Sequence, residues 1–241
     1  MRASRSGSAS VSPPADVASD HPVFTRAYGV LAGLGERAGL GDLRRRVLAP
    51  ARGRLLIIGL GPGHDLDHLP DSVTSVVALE PSESMRAAAR GRVAATVRRG
   101  VQVEVVDAMA EAIPLPDDSV DAVLVAYVLC SVEDPAAALV EIRRILRPDG
   151  TLHVLEHVRA RPRSLIRVIQ AAVAPAWPRL AGGCRVDRDT GALLEGAGFD
   201  LSEITRTSLV TLPPVAPTLV GVARVGGPNV GQVAPPRQSG V

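Results

Sequence analysis

The sequence predicts an α/β fold: a doubly wound, Rossmann-like sheet of seven mostly parallel strands, with helices on both faces and an antiparallel strand pair at the C-terminus. Three observations predict it. Apolar runs typical of buried parallel strands alternate with helical segments. The first run ends in a turn with three glycines, and a glutamate ends the next run about one βα unit later. The last alternating segments flank a Pro-Pro turn.

Each element is predicted from local signals. Strands are expected near 54–58, 75–79, 101–106, 120–126 and 150–156, and helices near 63–69, 82–95, 135–146 and 189–197. Asp134 followed by Pro135 predicts a helix start, because Asp caps free backbone N–H groups and Pro fits the first helical position. Arg147-Pro148-Asp149-Gly150 ends that helix and turns into the next strand. Two alternating segments around Leu212-Pro213-Pro214, within 200–224, predict the closing antiparallel pair.

Composition indicates one domain with tails. A length of 241 residues fits one α/β domain, and an apolar fraction of 46% is ample for its core. We expect disordered tails over 1–20 and 226–241. The domain is expected over 21–225, with an N-terminal helical lid over 21–50. Within that lid, Arg44-Arg45-Arg46 is interpreted as a solvated face.

Charge and cysteine content argue against several functional classes. The net charge of +2 is too balanced to indicate a nucleic-acid partner, so a small molecule is the expected partner. Cys130 and Cys184 lack metal-ligand spacing, and no metal is expected. Residues 1–20 lack the apolar core of a signal peptide, and the apolar stretch 122–130 is too short to span a bilayer. We therefore expect a reduced, cytoplasmic protein; the sequence specifies no oligomeric state.

The glycine turn predicts a nucleotide site. Gly59, Gly61 and Gly63 follow the apolar run, and glycines there let the backbone turn sharply and approach a ligand without a Cβ in the way. A dinucleotide site requires a small residue where His64 stands. A phosphate-binding Walker loop requires a lysine, which the chain lacks. The pattern favours another adenosine-containing ligand; the alternative is a plain turn in an unrelated α/β protein.

Two acids follow the second and third predicted strands. Glu80 comes 21 residues after Gly59, where a carboxylate can accept hydrogen bonds from both ribose hydroxyls. Asp107 can accept a hydrogen bond from the adenine amino group while the Ala108 N–H donates to the ring. Alternatively, Asp107 only caps the next segment. Together these residues predict an adenosine site at the carboxyl edge of the sheet.

From His21 to about Val225 the chain resembles the class I S-adenosylmethionine-dependent methyltransferases of the type 11 domain family. Within it, the chain is similar to a bacterial branch related to the alkyl-thiol methyltransferases and, more distantly, to the ubiquinone/menaquinone C-methyltransferases. Beyond the glycine turn, the resemblance rests on Glu80-Pro81-x-x-x-Met85-Arg86, Asp107-x-x-Ala110-Glu111-x-Ile113-Pro114, Val128–Val132, Glu141–Gly150, Leu155–Val158 and Pro175-x-Trp177 through Gly182-Gly183-Cys184.

The resemblance implies S-adenosylmethionine as the cofactor and S-adenosylhomocysteine as its product. The residues implied to bind it are Gly59, Gly61, Gly63, Glu80, Pro81, Asp107, Ala108 and Ala126. The chain also departs from the family: Ile57 stands where an acid usually helps to hold the methionine portion, and Pro62, Asp65 and Ala126 replace common residues. Loss of one hydrogen bond to a charged ammonium costs roughly 1.5–3 kcal/mol, so we expect weaker cofactor binding, with Asp65 as a partial substitute.

Candidate residues for the chemistry follow the fourth and fifth strands. His157 is the candidate general base; alternatively, it positions a loop. Glu156 is expected to orient either His157 or a backbone segment. An apolar acceptor pocket is expected from Phe24, Tyr28, Tyr127, Trp177 and Cys184, whose alternative is simple core packing.

Three functional hypotheses follow. The favoured one is methyl transfer to a small, rather apolar acceptor through a thiol sulfur, because a thiol with a pKa near 8.5 is already a few per cent thiolate at neutral pH. A second is methylation of an oxygen, nitrogen or carbon atom of a lipid, quinone or secondary metabolite. A third is a non-catalytic protein of the same fold that serves as a binding or scaffold subunit.

Overall fold

The computed structural model describes residues 35–209 and 213–226, together with Gly29 and Gly33. The predicted tails, apart from Gly226, lie outside the described residues, as do Phe24, Tyr28 and most of the first half of the predicted lid. The second half of that lid is helical, with a wide π-helical turn over Glu36–Leu40 and a regular helix after it.

Within the described residues, one sheet of eight strands has the order β3-β2-β1-β4-β5-β8-β6, with β7 paired to β8. Its strands are β1 Gly53–Ile58, β2 Val73–Leu79, β3 Gln102–Val106, β4 Val120–Ala126, β5 Leu146–His157, β6 Phe199–Asp200, β7 Ile204–Ser208 and β8 Pro217–Val225. Strands β1 to β5 pair in parallel, and β8 is antiparallel to β5, β6 and β7. The predicted fold class is confirmed; the two-residue β6 was not predicted.

The helices of this part of the chain connect the strands on both sides of the sheet. They are α1 Gly41–Leu48, α2 Glu83–Arg98, α3 Pro135–Ile145, α4 Leu165–Val173, α5 Trp177–Leu180 and α6 Thr190–Gly196, with short 3-10 segments at His64–His68 and Pro213–Val215. The predicted cap of α3 is present, since Asp134 accepts hydrogen bonds from the N–H groups of Ala136 and Ala137 at 3.0 Å. Helices α4 and α5 were not predicted.

The core has two layers because successive strand residues point to opposite faces of the sheet. On one face, Leu56 and Ile58 of β1 pack with Leu139 and Ile142 of α3. On the other face, Leu55 and Ile57 pack with residues of α1 and α2. Both faces are therefore covered by helices, as a doubly wound sheet requires.

The direction in which successive strands are added to the sheet reverses between β1 and β4. Strand β1 lies between β2, which precedes β3 at one edge, and β4, which leads to β5. Ligands in open α/β sheets bind at the carboxyl ends of the strands at this switch point. The described residues contain no helix that is both long enough and apolar enough to cross a membrane.

Candidate active site

The three glycines after β1 have different structural roles. All have positive φ angles: 71° at Gly59, 54° at Gly61 and 84° at Gly63. A Cβ on Gly59 would lie 2.7 Å from Val128 Cγ2, and one on Gly63 would lie 3.3 Å from Ala89 Cβ in α2. These two glycines permit close packing, whereas a Cβ on Gly61 would enter open space. Gly61 is therefore where the turn leaves room for a ligand.

The Glu80 carboxylate, at the end of β2, is tied to the glycine turn. Its Oε2 accepts a hydrogen bond from the Gly61 N–H at 2.7 Å, and its Oε1 accepts one from the Ser82 N–H at 3.0 Å. The side chain is buried, and burial raises the pKa of this carboxyl. Each carboxylate oxygen has two acceptor sites, so the group that anchors the turn keeps capacity for ribose hydroxyls.

Arg86 links the ends of β2 and β3. Its Nη1 donates to the carbonyl oxygens of Glu80 at 2.7 Å and Pro81 at 2.9 Å, and its Nη2 lies 3.1 Å from Asp107 Oδ2. Asp107 is exposed, and the neighbouring Ala108 is half-buried. The predicted ribose and adenine contacts are thus brought to one edge of the sheet, and their roles in binding stay predictions.

A cleft extends from the glycine turn towards β4. Its lining consists of the turn, the segment after it, one residue of α1 and the end of β4: Arg44, Gly59, Leu60, Gly61, Pro62, His64, Asp65 and Ala126. Burial, followed by the positive charge of Arg92, lowers the pKa of the His64 imidazole. Three predicted cofactor residues line the cleft together with the charged side chains of Arg44 and Asp65. Of these two charged residues, the sequence suggested only Asp65.

The interpretation of Arg44 as part of a solvated face is wrong. Its side chain is only 6% exposed, although Arg45 and Arg46 are exposed. The guanidinium Nε donates to Glu36 Oε1 at 2.8 Å, and Nη1 pairs with Asp65 Oδ1. Asp65 itself is 4% exposed. The ion pair buries Arg44 beside the cleft, and no local pattern reveals it because Asp65 lies 21 residues away.

Ile57 supplies no charge to this region. Its side chain is fully buried in the core layer that packs against α1. The charges beside the cleft come instead from Arg44 and Asp65. Asp65 lines the cleft, and its role as a partial substitute for the missing acid stays a prediction.

Glu156 holds the backbone turn that follows β4. It is fully buried, and its Oε1 accepts hydrogen bonds from the N–H groups of Val128 at 2.8 Å and Leu129 at 2.7 Å, while Oε2 accepts one from Cys130 at 3.3 Å. Burial raises the pKa of Glu156 to about 7, against these hydrogen bonds, which lower it. Glu156 was expected to orient either His157 or a backbone segment, and these hydrogen bonds support the second role.

His157 and Tyr127 stand side by side at the ends of β5 and β4. Their ring centroids are 4.3 Å apart, and the Arg44 guanidinium carbon lies 5.7 Å from the Tyr127 centroid. Tyr127 has a positive φ of 59°, which turns the chain away from the strand. Burial lowers the pKa of His157 to about 4, so its imidazole is neutral at pH 7. Its Nδ1 is buried with no hydrogen-bond partner among the described residues.

Cys184 and Trp177 pack on the far side of the turn that follows β4. They form a small cluster with Cys130 and Val186, and the Arg185 N–H donates to the Cys130 carbonyl at 2.8 Å. The hydrogen bond between the two thiols and burial raise the pKa of Cys130. The structure does not bring Cys184 or Trp177 into the cleft at the glycine turn; their pocket role stays a prediction.

Residues 56–154 match the model of a family described as a methyltransferase domain. The human thiol S-methyltransferase TMT1B is 37% identical over 110 residues, which cover 45% of each chain. The human thiol S-methyltransferase TMT1A is 31% identical over 60% of this chain and 59% of its own. A demethylmenaquinone methyltransferase from Clavibacter sepedonicus is 36% identical over 56% of this chain and 55% of its own. The chain spans about half the length of the curated relatives it matches.

Solved structures share the fold. A SAM-dependent methyltransferase from Leishmania major superimposes with a TM-score of 0.60 at 16% identity, over 84% of this chain and 81% of its own. One from Aquifex aeolicus gives a TM-score of 0.57 at 18% identity, over 85% of this chain and 98% of its own. At these identities the likeness shows the fold alone.

Proposed function

We propose that this protein transfers a methyl group from S-adenosylmethionine to the thiol sulfur of a small, rather apolar acceptor, since residues 56–154 match the model of a methyltransferase domain. The observation that carries the choice of sulfur is the similarity to two human thiol S-methyltransferases, and the low pKa of His157, about 4, at the end of β5 agrees with it. An imidazole with that pKa is a weak base, and a thiol acceptor needs little base assistance because a few per cent of it is thiolate at pH 7.

The cofactor would lie along the carboxyl edge from β3 to β4. Asp107 would accept from the adenine amino group, and Glu80 would accept from the ribose hydroxyls while it anchors the Gly61 N–H. The methionine end would then extend over the glycine turn into the cleft towards Ala126. When bound, the cofactor supplies an electrophilic methyl group on a positively charged sulfur.

The two charges beside the cleft are complementary to the methionine end, which carries an ammonium and a carboxylate. Asp65 would accept a hydrogen bond from the ammonium, since its pairing with Arg44 uses Oδ1 and leaves Oδ2 for a second donor. The Arg44 guanidinium would attract the carboxylate. This assignment gives a charged methionine subsite to a chain with an isoleucine at position 57.

The acceptor would approach past the paired rings of Tyr127 and His157. Glu156 accepts three hydrogen bonds from the backbone of 128–130, which would hold this segment in place as one wall of the acceptor site. Rapid methyl transfer depends on holding the two reacting atoms close, aligned and away from water. The neutral imidazole of His157 would accept a hydrogen bond from the entering thiol rather than repel a cationic donor.

The test compares a small aromatic thiol with the phenol of the same shape, in the wild type and in His157→Gln. We expect turnover of the thiol only, with a loss of no more than about fivefold in His157→Gln, because the thiolate forms without a strong base. Calorimetric titration with S-adenosylhomocysteine, before and after the substitution, controls for the cofactor site. Phenol turnover that falls at least about a hundredfold in His157→Gln, with cofactor binding intact, would replace sulfur by oxygen as the acceptor atom.

Carbon methylation of a quinone is the second candidate, favoured by the similarity to the demethylmenaquinone methyltransferase. A reduced quinone in the same panel separates the two, because product mass and nuclear magnetic resonance distinguish methylation at carbon from methylation at sulfur or oxygen. If S-adenosylhomocysteine does not bind, the enzymatic proposals fail together and the non-catalytic hypothesis takes their place.

A further inference from the structure

Helix α4 has an unusual distribution of polar and apolar side chains. Its buried face centres on Gln170, which accepts a hydrogen bond from the Ala160 N–H at 2.7 Å and donates to the carbonyls of Val158 at 3.1 Å and Pro214 at 3.0 Å. Its outer face is apolar: Leu165 is 76% exposed and Val168 is 64% exposed. A helix on the surface of a globular protein normally shows the opposite arrangement.

Leu165, Val168 and Ala172 are spaced by three and four residues and therefore share one side of α4. Ala172 of α4 is exposed, and Leu180 of α5 is 74% exposed. We call this surface, made of Leu165, Val168, Ala172 and Leu180, the α4–α5 face. Several large apolar side chains exposed on one side of a helix indicate a site of interaction rather than an ordinary solvated helix.

Positive charge predominates around the α4–α5 face. Residues 158–186 contain six arginines and no aspartate or glutamate. Four arginines, Arg159, Arg161, Arg167 and Arg206, line a cavity at the start of α4 with a single carboxylate, Asp189. Arg179 on α5 is also exposed. A protein partner would have to match this excess of positive charge, whereas the headgroups of an anionic bilayer match it over the whole surface.

We propose that the α4–α5 face docks on the surface of a bilayer that contains anionic phospholipids. Leu165, Val168 and Leu180 would enter the boundary between headgroups and acyl chains, and the surrounding arginines would contact lipid phosphates. Docking of this kind requires no membrane-spanning helix. The proposal does not require methyl transfer and stands apart from the choice of acceptor.

Helix α4, which carries part of the α4–α5 face, is linked to the carboxyl edge of the sheet. Strand β5 ends at His157, and Gln170 of α4 donates to the carbonyl of Val158, the next residue. The docked helix is therefore joined to the carboxyl edge of the sheet, where the acceptor is expected. An apolar acceptor dissolved in the bilayer would reach the enzyme from the side on which it is most concentrated.

The test is binding of the full chain to unilamellar vesicles of equimolar phosphatidylcholine and phosphatidylglycerol, measured by flotation, with pure phosphatidylcholine vesicles for comparison. The chain's single tryptophan, Trp177, lies in α5, so its quenching by brominated lipids reports contact at this face. We expect binding to the anionic vesicles that weakens with salt, and little binding to the neutral ones.

Two variants and a control locate the contact. Leu165→Ser with Val168→Ser should weaken binding about tenfold or more by removing exposed apolar groups, and Arg161→Gln with Arg179→Gln should do so by removing charge. Val97→Ser with Val140→Ser is the matched control, since these valines are 50% and 64% exposed on α2 and α3. All three double variants should keep the wild-type melting temperature and affinity for S-adenosylhomocysteine.

Three outcomes would overturn the proposal. The first is no binding of the folded wild type to anionic vesicles, and the second is equal loss in the control variant. The third is a dimer in sedimentation equilibrium that Leu165→Ser with Val168→Ser dissociates, without any vesicle binding; the face would then join two copies of the chain.

Discussion

Asp65 and Arg44 are the residues at which a single buried contact changes the interpretation of the site. Each is almost completely buried, and each is paired with the other beside the glycine turn. The Arg44 guanidinium has a second partner in Glu36, so the positive charge is not left alone when Asp65 is neutralised. The pair supplies charge next to a strand that ends in apolar side chains.

We predict that Asp65→Asn weakens binding of S-adenosylhomocysteine by about ten- to a hundredfold, since a hydrogen bond to a charged group is worth roughly 1.5–3 kcal/mol. Binding of methylthioadenosine, which lacks the amino-acid end, should be unchanged. Calorimetric titration with both ligands measures the difference. Asp67→Asn in the same 3-10 segment is the control, because Asp67 is exposed and pairs with Arg92. Equal losses for the two ligands would refute an ammonium contact.

At the scale of elements, the turn after β1 joins three parts of the molecule. Its first glycine lets Val128, in the turn after β4, approach closely, and its last glycine lets α2 approach. The middle glycine receives the Glu80 carboxylate from the end of β2. The packing and ligand-facing functions of the turn therefore rest on different residues and can be separated by substitution.

We predict that Gly59→Ala mainly lowers stability, whereas Gly61→Ala mainly lowers affinity for the cofactor. Gly59→Ala should lower the free energy of unfolding by about 2–4 kcal/mol, because the new methyl group meets Val128 at 2.7 Å and the φ of 71° disfavours a Cβ. Gly61→Ala should cost only about 1–2 kcal/mol for its φ of 54°. It should nevertheless reduce affinity for S-adenosylhomocysteine more, by occupying the open space. Denaturant unfolding and calorimetry measure the two quantities; a larger affinity loss in Gly59→Ala would contradict the separation.

At the scale of the whole molecule, two neighbouring buried groups affect stability in opposite directions as the pH changes. The pKa of His157 falls from 6.5 to about 4 on folding, so its contribution to stability is complete above about pH 6.5 and is lost as the pH falls towards 4. The pKa of Glu156 rises from 4.5 to about 7, so its contribution is complete below about pH 4.5 and is lost as the pH rises through 7. Between pH 4.5 and 6.5 the two slopes oppose each other.

We predict that each single substitution removes one of these two slopes, so that its difference from the wild type reports the group replaced. In His157→Gln, the free energy of unfolding should rise relative to the wild type by about 3 kcal/mol as the pH falls from 7 to 4, since one pKa unit corresponds to about 1.4 kcal/mol. In Glu156→Gln, the free energy relative to the wild type should instead rise as the pH increases from 4.5 to 7.5. Urea unfolding across this range measures both differences, and parallel curves for wild type and variants would contradict the burial of these charges.

Local sequence signals determined much of this protein. Apolar runs, the Asp134-Pro135 helix start and the glycine turn predicted five parallel strands and four helical segments near their observed positions, because these signals act between residues close in the chain. The positions of the carboxylates after β2 and β3 were also predicted from spacing, since the carboxyl ends of parallel strands meet at one edge of the sheet. The resemblance to methyltransferases rested on the same short segments.

Only the tertiary structure decided which charged groups are buried and what they contact. Arg44 follows a pattern typical of a solvated helix, yet Asp65 and Glu36 bury it. Glu156 accepts hydrogen bonds from backbone N–H groups 26 to 28 residues away. Gln170 hydrogen-bonds to the interior, so the apolar side of α4 faces outwards. Burial and ion pairing depend on residues distant in sequence, so local periodicity cannot specify them; they arise when the sheet brings the ends of its strands together.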